Sequence, residues 1–409
     1  MKKVFGLALG ILTAIGGFVD IGDLVTNAVV GSRFGLSLAW TVVVGVIGIC
    51  VFAQMAGRVA AVSGRATFEL IRERLGPRAA LFNLGASFLI NLMTLTAEVG
   101  GVALAIQLVT SVSYLLWVPL AAVAIWLVIW RVRFSIMENV AGLVGLLLIG
   151  FAMALFLLGP DWSELGRQAI QRMSTSTEKA STYWFYAVAL FGAAMTPYEV
   201  FFFSSGAVEE GWTVKDLGQS RANVLVGFPL GGLLSLSIAG CAAVVLLPQL
   251  ISVTALSQVM LPVAEAGGKL LLAAIILGVV AATFGAALET TLSAGYTIAQ
   301  FFGWPWGKFR SPSRAARFHL LMIICLLVGV GTLLTGVDPI TVTEVSVVFS
   351  AVALPLTYLP ILIVANDPEY MGEHVNGQAL NMLGVVYMVI ILVASAAAIP
   401  LLIITGAGQ

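Results

Sequence analysis

The chain has 409 residues, 60% of them hydrophobic and 10% charged, with a net charge of zero and a mean hydropathy of +1.05. A soluble domain carries about 25% charged residues, so this composition excludes one and puts the chain in lipid. The balanced charge points to no nucleic-acid partner. Cys50, Cys241 and Cys325 lie far apart inside apolar runs, which excludes a disulfide framework and metal-type spacing and makes them small buried hydrophobes.

A helical span needs about 20 mostly apolar residues. On that rule the chain predicts eleven, over 4–31, 36–62, 79–110, 115–131, 138–159, 183–208, 220–247, 267–301, 317–336, 343–365 and 381–404. The first run is too long for a cleaved signal peptide and has no small-residue cleavage site. Long runs without two-residue alternation mean helices, not a barrel. With the N-terminus in the cytoplasm, fifteen of the twenty Lys and Arg fall inside and five outside, as the positive-inside bias requires. The segment SGRATFELIRERLGPR carries much of that bias and reads as a cytoplasmic loop helix. An odd number of spans leaves the C-terminus outside.

The first span contains GGFVDIGDLV, with Asp20 and Asp23 near mid-membrane and Gly16, Gly17 and Gly22 around them. A charged, unpaired carboxylate at that depth costs a few kcal/mol or more. Glycine permits non-helical backbone, so the span reads as broken. Span six has a counterpart, FGAAMTPYEVFF, in which Pro197 breaks the helix and Glu199 follows it. Spans one and six lie five apart and so run in opposite directions. The pattern is an inverted five-plus-five repeat, whose broken helices line a substrate site at the midplane. The repeats run over 4–159 and 183–365 within a single transmembrane domain of residues 1–409, and 381–404 is an additional helix.

No Lys or Arg lies between Val4 and Ser32, nor between Tyr183 and Val208. A carboxylate set without basic partners is protonated, hydrated or holds a cation. The cation is best motivated, because helix breaks free backbone carbonyls as further ligands. Thr196 and Glu199 are three apart and share a helix face. The expected ion site is Asp20, Asp23, Thr196, Glu199 and Tyr198, with the carbonyls of Gly17 and Ala193 as ligands by position.

DIGD, then TNAVVGSRFGLSLAW, LTAEVGG, AAMTPYE, ALETTLSAGYTIAQFFGW and NDPEYMGEHVNGQALNMLG form an ordered set. It resembles the Nramp family of divalent-metal transporters over nearly the whole chain. The resemblance implies an all-α integral membrane protein of leucine-transporter-type fold. The metal is then substrate, with no cofactor, and nothing calls for an obligate protein partner.

The departures from the family are informative. In the family, span one carries Asp-Pro-Gly-Asn and span three an acidic pair. Here Asp23 replaces the Asn, Glu98 keeps one acid of the pair, and Leu95 stands for the other. The family's span-six Met, His and Asn become Thr196, Tyr198 and Glu199, trading sulfur and amide for hydroxyl and carboxylate. Oxygen ligands suit Mg²⁺, Ca²⁺ or Mn²⁺, and Mg²⁺ binds through one or two carboxylates while keeping several waters. This is similar to the Nramp-related magnesium transporters, a prokaryotic branch, and implies a plasma (inner) membrane carrier of Mg²⁺ and also Mn²⁺, as a partly hydrated ion. Proton coupling is not expected. Leu95 takes no proton, and a phenol with an ordinary pKa of about 10 does not replace a histidine.

The nearest alternative is a proton-coupled Mn²⁺/Fe²⁺ Nramp transporter, with Met195, one residue from the expected place, supplying the sulfur if the break shifts register. A sodium-coupled amino-acid carrier of the same fold needs fewer carboxylates. An intramembrane aspartyl protease places its aspartates on two helices, one within Gly-x-Gly-Asp, and here Asp20 stands at the first glycine. His319 and His374 fall at a span end or in a loop. Glu138 reads as an ion-pair member beside WRVRF, Glu344 as solvated, and Glu289 as bonded to Thr290 or Thr291. Trp117, Trp130, Trp162 and Trp212 read as interface anchors.

Overall fold

The computed structural model describes residues 19–132, 140, 142–170 and 178–408. Gly17, Lys2, Lys3, Arg133, Glu138 and Arg172 lie outside the described residues, as does the start of the first span. Every regular element among the described residues is helical. In chain order the α-helices longer than one turn are α1 (Ile21–Phe34), α2 (Ala39–Ser63), α3 (Thr67–Thr110), α4 (Tyr114–Arg131), α5 (Ile149–Leu157), α6 (Trp162–Ile170), α7 (Ala180–Ala194), α8 (Pro197–Glu209), α9 (Leu217–Val245), α10 (Leu256–Phe302), α11 (Ala316–Leu334), α12 (Pro339–Ala365) and α13 (Gln378–Thr405).

Nine helices among the described residues are long and apolar enough to cross a membrane, with α7 and α8 counted as one broken span. A tenth is reached through Gly142–Leu157, which meets α6 at 111°. Only Leu165 of α6 is buried, so this short amphipathic helix lies along the surface. The first span of the sequence reading contributes α1 as its described half.

The hydropathy limits hold to a few residues, but two helices run beyond them. α3 begins at Thr67, so the basic loop helix and span three are one bent rod, turned at Gly76 (φ 79°) next to Pro77. α10 begins at Leu256 and bends at Gly268 (φ 61°). Both glycines hold a left-handed backbone that a side chain would strain.

Two apolar clusters form the interior. The first draws on α1, α2, α5, α7, α8, α9, α12 and α13 and on parts of α3 and α10. The second draws mainly on α3, α4, α10 and α11, with Leu95, Val99, Ile125, Leu292, Tyr296 and Phe318 among its residues. Leu116, Leu120, Val123 and Leu127 of α4 point outward, as a lipid-facing stripe does. The three cysteines are buried and free.

Candidate functional site

The seam between the two clusters is polar. α1 starts there because Asp20 caps it: the Asp23 backbone N–H donates to Asp20 Oδ1 at 2.7 Å. Span six is interrupted at Met195 (φ −111°, ψ 61°) and Thr196, and α8 restarts with Pro197 in its first turn. In an unbroken helix the Ala193 carbonyl would accept from the N–H of residue 197. Proline has none, so the covalent structure frees that oxygen.

Asp20, Ala193 and Thr196 line one cavity of about 10 Å³, with Thr94 and Glu98 of α3 and Thr343, Ser346 and Ser350 of α12. That is about the room a single water needs. Every polar side chain lining it ends in oxygen. The Thr196 hydroxyl is buried without a hydrogen-bond partner. Glu98, absent from the expected site, accepts the Ile21 backbone N–H at 3.2 Å. Val347 also lines this cavity, and a larger cavity of about 840 Å³ is lined by Arg33, Glu178, Asp338 and Glu344. A Cβ at Gly22 would meet Val347 Cγ1 at 2.9 Å, and one at Gly192 the Val347 carbonyl at 2.6 Å. Glu344 is part-buried beside this larger cavity and not simply solvated.

Asp23, Tyr198 and Glu199 do not line the cavity, and Gly17 lies outside the described residues. Tyr198 donates its hydroxyl to Asp20 Oδ2 at 3.2 Å. Asp23 turns toward α9, where Ser235 donates to its Oδ2, and Asn27 Nδ2 donates to its Oδ1 at 2.9 Å. Glu199 hydrogen-bonds with Glu289 of α10. Thr290 and Thr291 are occupied with backbone carbonyls of their own helix, so the pairing expected for Glu289 gives way to one across helices. No three Asp, Glu, His or Cys side chains among the described residues converge on one point. The carboxylates are thus distributed: Asp20 at the cavity, Asp23 toward α9, and Glu199 toward α10. Met195 points its sulfur at Gly48 of α2 and the Tyr387 ring, away from the cavity. His319 bonds the Arg310 carbonyl at 3.1 Å, remote from the site.

Comparison with known proteins follows the same lines. The family model described as natural resistance-associated macrophage protein-like matches residues 10–400. The chain belongs to the Nramp family. It is therefore a membrane transporter of divalent metal cations and not an enzyme, with the metal as its substrate. The divalent metal cation transporter MntH of Deinococcus radiodurans is 26% identical over 389 residues, covering 92% of this chain and 85% of the relative. The manganese transporter of Eremococcus coleocola superposes with a TM-score of 0.70 at 18% identity, covering 95% of this chain and 85% of that one. The nucleobase-cation-symport-1 transporter Mhp1 superposes with 0.62 at 17%, covering 98% and 90%. The fold is of the leucine-transporter type, with span six broken at Met195 and Thr196.

Proposed function

We propose that this Nramp protein carries Mg²⁺, with Mn²⁺ as a second substrate, by alternating access and without a coupled proton. The observation that carries the reading is the all-oxygen lining of the Asp20 cavity, with the Met195 sulfur turned to α2. Asp20 is the main anionic ligand. The Thr196 hydroxyl and Ala193 carbonyl add neutral oxygens, and the Gly17 carbonyl is the fourth candidate. Asp23, Glu199 and Tyr198 add charge and orientation from behind. Such a donor set favours hard cations over soft ones. At about 30 Å³ per water, an ion that keeps several waters requires the cavity to widen, which an alternating-access cycle supplies.

Leu95 is wholly buried in the second apolar cluster, and Tyr198 offers a phenol where the family has an imidazole. Both weaken a proton relay. The membrane potential then drives the ion inward, at about 2.3 kcal/mol per charge per 100 mV and so roughly 4.6 kcal/mol for two charges. The names of the relatives, an MntH and a manganese transporter, support Mn²⁺ as a substrate. The same reading keeps the repeats at 4–159 and 183–365, the N-terminus in the cytoplasm and the C-terminus outside. The test is metal flux in proteoliposomes. Mg²⁺ and Mn²⁺ enter and Ca²⁺ enters poorly; entry of Fe²⁺ or Cd²⁺ with Mg²⁺ left outside overturns the reading in favour of a soft-metal carrier.

A further inference from the structure

Glu289 sits on α10 with 8% of its surface exposed, and Glu199 on α8 with 3%. Their side chains share a hydrogen bond across the seam. Neither lines the Asp20 cavity. The groups acting electrostatically on Glu199 are Glu289 and Asp20, with no cation among them. Three further observations mark the place. Glu199 Oε2 is buried with no hydrogen-bond partner. The Tyr358 hydroxyl of α12 is wholly buried, also has none, and has Glu199 as its carboxylate neighbour. Asn91 of α3 leaves its Oδ1 without a partner, while its Nδ2 reaches Ser293 Oγ at 3.4 Å. Ser293 lies one turn along α10 from Glu289 and donates to the Tyr198 carbonyl at 3.2 Å. Unpartnered oxygens of α3 and α12 therefore share this buried region with the carboxyl pair, Asn91 through Ser293 one turn from Glu289 and Tyr358 through Glu199.

We propose that Glu199 and Glu289 form a second divalent-cation station, beyond the Asp20 cavity on the α8 side, which takes the ion as it leaves Asp20. The inference rests on the proposed cation pathway and adds a residue to it. Two carboxyl groups in a hydrogen bond hold their oxygens about 2.5–3.0 Å apart. Two adjacent ligands of an octahedral ion with bonds of about 2.1 Å stand roughly 3.0 Å apart. A cation can thus replace the bridging proton with little movement of either side chain. The Tyr358 hydroxyl and the Asn91 carbonyl oxygen are neutral donors for the remaining positions, and waters complete them. Thr196 immediately precedes α8 and Glu199 lies in its first turn, so an ion leaving the Thr196 hydroxyl meets the station at the start of α8.

The test uses the full chain in lipid nanodiscs and Mn²⁺ as probe, read by loss of the free-ion paramagnetic signal. Asp20→Asn should still bind one Mn²⁺, and Asp20→Asn with Glu289→Gln should bind it at least tenfold more weakly. No binding by Asp20→Asn, or equal binding by both, overturns the station. A second reading does not depend on those variants folding. Glu289→Gln alone, which keeps a hydrogen bond to Glu199, should bind Mn²⁺ within threefold of the unaltered protein but transport it at least tenfold more slowly. Unchanged transport overturns the station. If the unaltered protein binds no divalent cation, the proposed function itself falls. If it binds and carries Mn²⁺ while Asp20→Asn binds none, only the station falls.

Discussion

The Tyr198 hydroxyl donates to Asp20 Oδ2 at 3.2 Å, joining the restart of span six to the cap of α1. One bond thus ties spans one and six together at the cavity. With Oδ1 held by the α1 backbone, it orients the whole Asp20 carboxylate. Tyr198→Phe keeps the ring and removes the bond. The chain should fold, and its apparent affinity for Mg²⁺ should fall about tenfold, equivalent to roughly 1.4 kcal/mol. Flux measured against Mg²⁺ concentration checks this; an unchanged half-saturation would remove the orienting role.

Asp20→Ala should abolish metal flux. The substitution also removes a helix cap, which costs about 1 kcal/mol, so the melting temperature should fall modestly while the protein stays monodisperse. Full Mg²⁺ flux through the folded variant would exclude Asp20 as a ligand.

Sulfur placement offers a separate test. Thr196→Met puts a thioether into the cavity and should admit Cd²⁺ and Fe²⁺. Met195→Leu removes a sulfur that faces Gly48 and should leave metal preference unchanged. Competition of Cd²⁺ against Mn²⁺ uptake reads both; a shift in preference with Met195→Leu would show that this sulfur reaches the ion.

The packing of Val347 beside the cavity depends on small residues. A side chain at Gly192 meets the Val347 carbonyl, which cannot rotate away. Gly192→Val should separate α7 from α12 and destabilise the protein by about 1–3 kcal/mol. A melting temperature equal to that of the unaltered chain would mean that the contact is not tight.

How legible this was depended on the range of the interaction. The start of α1 and the break in span six can be read because their causes are local: a capping aspartate beside glycine, and a proline with no N–H. Ala193 can be placed for the same reason, four residues before Pro197. The partner of Asp23 was half legible, since Asn27 is one turn on, but Ser235 arrives from α9. The Glu199–Glu289 pair was hidden, because only tertiary packing brings α8 and α10 face to face. Hydropathy also ends where the membrane ends, so the extensions of α3 and α10 past Gly76 and Gly268 left no signal in it. The three carboxylates were legible as a set; their separation was not, because it depends on the face each presents.

The most direct test of the account loads proteoliposomes with a Mg²⁺ indicator and a pH dye, imposes an inside-negative potential, and adds Mg²⁺. Prediction and contradiction are both visible in one trace. The account predicts Mg²⁺ uptake that rises with the potential, is lost in Asp20→Ala, and brings no protein-dependent acidification. Acidification in proportion to the metal taken up, or Cd²⁺ entering through a protein that leaves Mg²⁺ outside, would contradict it.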